Sequence, residues 1–282
     1  MVKINDVVSW LDGRFHPEYQ EDYDNAGFLV GDGGAEYSGA LVALDLTPAV
    51  LDEARRLGLN LVVTHHPFIF GGLKRITDRT EAGRMVMEMV RHGIATYAAH
   101  TNLDNMPDGV NGILAEKLGL RDCRILRVST ECGVRSAELF GSGNGNSELR
   151  VPNSELIGAG MVGELEGEMD AGEFLAMVKE RLGLPWIRLS GERRRVRRVA
   201  ICGGSGSFLI GDAIAAEADA FLTADLKYHD FQRPEGRLLL ADIGHYESEQ
   251  FAKEIISRAI SEKFCNFACR ISERQQSVVR YS

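Results

Sequence analysis

Six residues of this 282-residue chain, His65, His66, His100, Asp104, His245 and Glu249, are candidates to supply the three imidazoles and two carboxylates of a metal site. Each follows a segment that reads as a β-strand. Leu59–Val63 runs into Thr64-His65-His66-Pro67, Ile94–Ala99 into His100-Thr-Asn-Leu-Asp104, and Leu238–Ile243 into Gly244-His245-Tyr-Glu-Ser-Glu249. Open α/β sheets place their binding sites at those carboxyl ends. His245 and Glu249 stand four apart, hence on one face if a helix begins there. Neighbouring side chains diverge along an extended strand, but in a loop just beyond one His65 and His66 can serve adjacent metals. Three imidazoles and two carboxylates, without a thiolate, suit zinc, manganese, iron or nickel better than a Cys-type structural zinc. Taken singly, each histidine reads as well as a hydrogen-bonding or capping residue, and Glu249 as an acid complementing a helix dipole. Five such residues at strand ends favour a two-metal site. Ions about 3.5–4 Å apart would lower the pKa of a shared water towards roughly 7, which is hydrolytic chemistry.

Other residues are open to two readings. Lys74 and Arg75 follow Gly71-Gly72 and could hold substrate phosphates, or belong to a solvated loop. Tyr228 and His229 could supply a proton donor, and a capped turn at a strand end explains them almost as well. Gly203-Gly-Ser-Gly206 follows a strand, but Leu209 breaks the GxGxxG pattern, so a tight turn is expected rather than a nucleotide loop. The arginines at 193–195, 197 and 198 read as an exposed edge or loop rather than a nucleic-acid patch.

The elements that must position these residues alternate. Ala40–Leu44 is a short apolar run ending at Asp45, and Thr47-Pro48 opens a helix that Gly58 closes. Helices are expected again over Asp78–Arg91 and Val110–Leu118, so strand and helix recur three times, as in parallel crossovers of an α/β sheet. The stretch from about Cys123 to Leu189, with the loop-like Gly141–Ser147, reads as part of a second domain. Val196–Cys202, a helix through Ala213–Ala218, the strand Ala220–Ala224 and a helix from about Glu247 to Ser261 complete the pattern.

Composition limits what the chain can do. Thirty-two basic against 41 acidic residues give a net charge of −9, which argues against nucleic acid as the main partner. No run reaches the roughly 18 apolar residues of a membrane helix, and the start lacks a basic region followed by an apolar one, so a cytoplasmic protein is expected. Cys123, Cys132, Cys202, Cys265 and Cys269 are an odd number without a CxxC pair, which fits free thiols. Cys265 and Cys269 could be half a metal site, but the alternation of Phe267, Cys269 and Ile271 favours a half-buried strand.

Asp24-Asn-Ala-Gly-Phe-Leu-Val-Gly31, Thr64–Phe70, His100–Asp104, Thr223–Asp230 and Gly244–Glu249 together resemble the ordered motifs of the GTP cyclohydrolase I type 2 homologs, also called Nif-three-like or YbgI-like proteins. The resemblance implies two interwoven three-layer α/β domains with largely parallel sheets. These are expected at 1–122 plus 236–282, carrying the metal ligands, and at 123–235. It further implies two divalent ions per chain, His66 and Asp104 on one, His65 and His245 on the other, with Glu249 bridging. His100 is then a group orienting Asp104 or a loop-packing residue. A ring-shaped homohexamer is implied, with a small-molecule substrate. The family name suggests hydrolysis of a purine nucleotide, releasing formate from GTP. A phosphoesterase, a non-enzymatic metal-handling protein and a metal-stabilised scaffold are the alternatives.

Overall fold

In chain order the elements are α1 (Ile4–Phe15), β1 (Gly27–Val30), β2 (Gly39–Ala43), α2 (Pro48–Leu57), β3 (Leu61–Thr64), α3 (Glu81–His92), β4 (Ala95–Ala98), α4 (Thr101–Asp104) and α5 (Val110–Leu118). They continue with β5 (Arg121–Val128), β6 (Gly158–Asp170), α6 (Ala171–Leu182), β7 (Arg188–Ser190), β8 (Arg195–Ser205), α7 (Ile210–Ala215) and β9 (Ala220–Ala224). Last come β10 (Leu239–Asp242), α8 (His245–Glu249), α9 (Ala252–Lys263) and β11 (Ala268–Ile271). The computed structural model describes residues 1–129 and 156–280; Cys132 and the Gly141–Ser147 loop lie outside the described residues. Two units result, Met1–Leu103 with Gln250–Ser282, and Asp104–Glu249.

The first unit holds a five-stranded sheet in the order β1-β4-β3-β2-β11, parallel except for β1 against β4. Its crossover helices form where the sequence signals them. Thr47 caps α2 by accepting from the Val50 amide at 3.3 Å and Thr80 caps α3 by accepting from the Gly83 amide at 3.1 Å, while Gly58 and Gly93 end them at φ +68° and +62°. These helices bury Val50, Leu51, Ala54, Met85 and Met89 against Leu41, Ala43 and Val62 of the sheet. Each large side chain so buried contributes about 1.5–3 kcal/mol. The other face is covered by α1 and α9, joined by the Trp10 indole donating to the Ala259 carbonyl at 2.9 Å.

In the second unit the order is β5-β6-β8-β9-β10-β7. Only β8, β9 and β10 are parallel to one another, so this sheet is mixed rather than largely parallel. One face packs Val162, Ala200, Phe221 and Leu240 under Leu209, Ile210 and Ala213; α5 and α6 lie against β6 and β8.

The unit boundaries differ from the expected 122/123 and 235/236. Strand β10 hydrogen-bonds β9 and β7, and α5 packs on β8, which draws residues 104–122 and 236–249 into the second unit. The expected ligands are therefore divided: His65 and His66 belong to the first unit, Asp104, His245 and Glu249 to the second. The long helix expected over Glu247–Ser261 is two helices, α8 and α9, followed by the short strand β11.

Candidate metal centre

In the first unit the parallel ladder continues two residues past β3. The His65 amide donates to the Ala43 carbonyl at 3.3 Å and the His66 amide to the Leu44 carbonyl at 2.9 Å. Pro67 has no amide hydrogen, so the ladder stops there and both imidazoles stand at the strand end. Their ring centroids are 5.0 Å apart, and each is within 5.4 Å of the His100 ring. One ring nitrogen from each of the three lies within 4.8 Å of the others.

Each imidazole is oriented through Nδ1. His65, fully buried, pairs with the Ala99 carbonyl at 2.7 Å, which fixes the tautomer, because a carbonyl can only accept. His66 Nδ1 meets Asp45 Oδ1 at 2.7 Å, and His100 Nδ1 meets Asp24 Oδ1 at 2.7 Å. A histidine held at Nδ1 would bind metal through Nε2, as in carboxylate–histidine–metal arrangements. Burial alone would raise the Asp24 pKa, but bonds from His100 and Thr101 outweigh it and bring the carboxyl down to about 2. His100 is thus held by Asp24, in a cluster with His65 and His66.

The second unit builds its group from the carboxyl end of β10. After Gly244, at φ +86°, α8 sets His245 and Glu249 on one face as their spacing predicts, with Nε2 to Oε2 at 2.9 Å. His245 Nδ1 meets Asp225 Oδ2 at 2.8 Å, just past β9. Burial disfavours a charged imidazole at His245, but Glu249 and then Asp225 overcome it and lift its pKa to about 9. A carboxylate oxygen of Asp104 lies within 4.8 Å of one from Glu249, whose residue is 3% exposed. Asp104 is fixed through its backbone: its carbonyl accepts from the Asn111 side chain at 3.1 Å, and the Asn111 side-chain oxygen accepts from the Gly203 amide at 2.9 Å. Burial, then the charges of Asp104 and Glu249, push the Cys202 thiol far up, so it is a neutral wall beside the carboxylates.

The glycine run 203–206 is not the expected tight turn. Strand β8 continues through Ser205, and the missing side chains make room for the acids. A β-carbon on Gly204, itself at φ +59°, would lie 2.0 Å from Glu249 Oε1; one on Gly206 would lie 2.3 Å from Thr223 Oγ1. The Gly204 amide donates to Ser248 Oγ at 2.9 Å, locking α8 to the strand.

Elsewhere, Lys74 and Arg75 are exposed on the loop after Phe70, and Tyr228 and His229 form an exposed edge-on pair with centroids 5.3 Å apart. The arginine run is not an edge: Arg193 and Arg194 precede β8, while Arg195, Arg197 and Arg198 lie on this interior strand and meet acids, Arg195 with Glu168 and both Arg197 and Arg198 with Glu164. Cys265 is exposed, and Cys269 on β11 is half-buried beside Ser257. Asp24, Asp45 and Asp225 are the site residues that sequence reasoning passed over. A signal existed for the last two, since each carboxylate comes within two residues of the end of an apolar strand, Asp45 two past β2 and Asp225 directly after β9.

Closely spaced buried carboxylates cost free energy unless a cation neutralises them, and imidazoles held at Nδ1 offer Nε2. The nitrogen and oxygen donor set therefore fits divalent metal in both groups. The Duf34/NIF3 (NGG1p interacting factor 3) family model matches residues 2–277, and the chain belongs to this family. A Clostridium perfringens protein named GTP cyclohydrolase 1 type 2 homolog is 32% identical over 266 residues, 93% of this chain and 92% of that one. A Staphylococcus aureus protein of the same name is 28% identical, over 90% and 91% of the two chains. A crystal structure of a hypothetical Staphylococcus aureus protein superposes with a TM-score of 0.84 at 29% identity, covering 99% of each chain. A Bacillus cereus protein related to NIF3 shares the fold, with a TM-score of 0.84 at 24% identity over 100% and 99%. No helix among the described residues is long and apolar enough to cross a membrane.

Proposed function

We propose that the chain is a dinuclear metal-dependent hydrolase acting on a purine nucleotide, with release of formate from GTP as its sharpest form. The observation that carries this reading is the fixed donor set: two imidazoles in one unit and one in the other, each anchored at Nδ1, and two carboxylates whose oxygens lie within 4.8 Å. The relatives' name, GTP cyclohydrolase 1 type 2 homolog, supports the substrate class. In this reading His66 and Asp104 hold one ion, His65 and His245 the other, and Glu249 bridges. When bound, two such ions supply Lewis acidity and a water activated near neutral pH.

The chain's own side chains account for the rest. Phe70 is 50% exposed with its ring edge-on to His100, centroids 6.0 Å apart, and Tyr23 is 67% exposed at 6.4 Å from Phe70. This pair offers a planar base a stacking face beside the histidines, and Lys74 and Arg75 offer cations to the triphosphate. His229, or Tyr228 next to it, is the proton donor to test first. The protein is further proposed to act in the cytoplasm as a ring of six copies, which sedimentation of the purified chain checks.

The deciding experiment is metal analysis of the purified protein, followed by assay of formate and pterin fluorescence from GTP with and without manganese, zinc or iron. About two ions per chain and formate in step with them are expected. Two ions without formate would move the activity to phosphate-ester hydrolysis or to metal handling, and absence of ions would end the reading.

A further inference from the structure

The last described stretch of the chain reaches back to the histidine cluster of its own unit. Beyond β11 the Ser272 amide donates to the Val42 carbonyl at 2.8 Å, extending the ladder beside β2. The chain then turns around a buried acid. Glu53 of α2, only 4% exposed, accepts from the Ser272 hydroxyl and from the amides of Glu273 and Arg274, both at 3.2 Å. The catalytic scheme makes no use of Glu53, and a buried carboxylate persists only where such donors satisfy it.

The turn directs Gln275 inward, to 7% exposure. Its Oε1 accepts from the Leu44 amide and its Nε2 donates to Asp45 Oδ2 at 3.0 Å, while Asp45 Oδ1 takes His66 Nδ1 at 2.7 Å. Both carboxylate oxygens of Asp45 are thereby engaged, one by the amide and one by the imidazole. Asp45 is 42% exposed at its side chain, so it needs such a tether to hold one rotamer. The charge of Lys253 also acts on Asp45, which supplies attraction without fixing direction. An amide presents both an acceptor and a donor at one tip, which matches the two bonds Gln275 makes here.

We infer that Gln275 is a positioning residue of the metal centre, aligning His66 through Asp45, and that the Ser272–Gln275 turn exists to place it. The metal part of this inference rests on the dinuclear reading; the alignment of His66 does not.

The test uses the full chain, stripped of metal and titrated with cobalt(II), comparing wild type with Gln275→Ala, Gln275→Glu and Asp45→Asn. Loss of a group orienting a metal-binding histidine typically costs about 10–100-fold in affinity, and a relay one residue removed is expected at about tenfold. Gln275→Ala should weaken one of two cobalt ions by that factor and alter its visible absorption, leaving the other ion unchanged. Gln275→Glu keeps the acceptor for Leu44 but sets a second carboxylate against Asp45, so it should weaken the same ion at least as much. A purely structural role would instead lower the melting temperature and weaken both ions together, which overturns the proposal. The imidazole Nδ1 resonance of His66 in metal-free protein provides the independent readout. If wild type takes up no cobalt while that resonance still moves in Gln275→Ala, the metal reading fails and the positioning role stands. An unmoved resonance in a folded Gln275→Ala protein overturns the positioning role itself.

Discussion

Glu249 presses its carboxylate against the backbone of Gly204 so closely that a β-carbon there would come within 2.0 Å of Oε1. Residue 204 also stands at φ +59°, where a side chain strains the backbone by roughly 1–2 kcal/mol. Gly204→Ala should therefore do two separable things: lower stability by about that amount and displace Glu249 enough to drop metal content well below that of wild type. Elemental analysis beside a denaturant titration reads both; retention of full metal would mean that Glu249 has no ligating role.

Removing the ligands themselves should have graded effects. Glu249→Ala is expected to lose both ions, because it is the proposed bridge, whereas His65→Ala should chiefly weaken one. Stoichiometry by elemental analysis distinguishes the two variants, and full occupancy in Glu249→Ala would sink the bridging assignment.

Asp24 carries a pH signature. Its carboxyl sits near 2 in the folded chain against 3.8 for the free group, so the folded state favours the charged form. That stabilisation is fully present above the unfolded value and disappears as pH falls through the folded one. A shift of this size is worth about 2 kcal/mol. Between pH 5 and 2, wild type should lose about that much more stability than Asp24→Asn, measured by urea unfolding; parallel curves would show that the His100 and Thr101 bonds are not stabilising the carboxylate.

The aromatic pair makes a claim about substrate. Base stacking on an aromatic ring is worth about 1–3 kcal/mol. Phe70→Ala should raise KM for a purine nucleotide about tenfold and leave kcat and metal content near wild type. An unchanged KM would remove Phe70 from the site, and a fall in metal content would make it a structural support of His100 instead.

Much of this architecture is written in local signals. Thr47-Pro48 and Gly58 bracket α2, Gly93 stops α3, and Val110–Leu118 is the observed span of α5, because capping and glycine termination act over a few residues. The ligand types could likewise be read at the strand ends. What sequence hid were choices made at a distance. Leu239–Asp242 is apolar enough to join either sheet, and only its pairing with Ala220–Thr223 on one side and Arg188–Ser190 on the other assigns it to the second. The Gly203–Gly206 run carries the composition of a turn; that its glycines instead clear space for Thr223 and Glu249 depends on two later elements, the second more than forty residues away in sequence. The aspartates that orient the histidines were hidden for the same reason, since an acid after a strand has many uses until its partner is known.

The pairing of β2 with β11 matches Gly39 with Ala268, near opposite ends of the chain. This spacing sets an order of assembly during synthesis. Every strand of the second unit has been made by Asp242, whereas the first sheet cannot acquire its edge until Ile271 has been added. Long-range pairing is slow because the intervening loop must be closed first. The inserted unit should therefore mature on the ribosome while β2 still waits with an open edge. Ribosome-arrested chains long enough to expose residue 249 test this: protease should spare the segment from Asp104 onward and cut the region before it, whereas equal digestion of both would show that the two units form together.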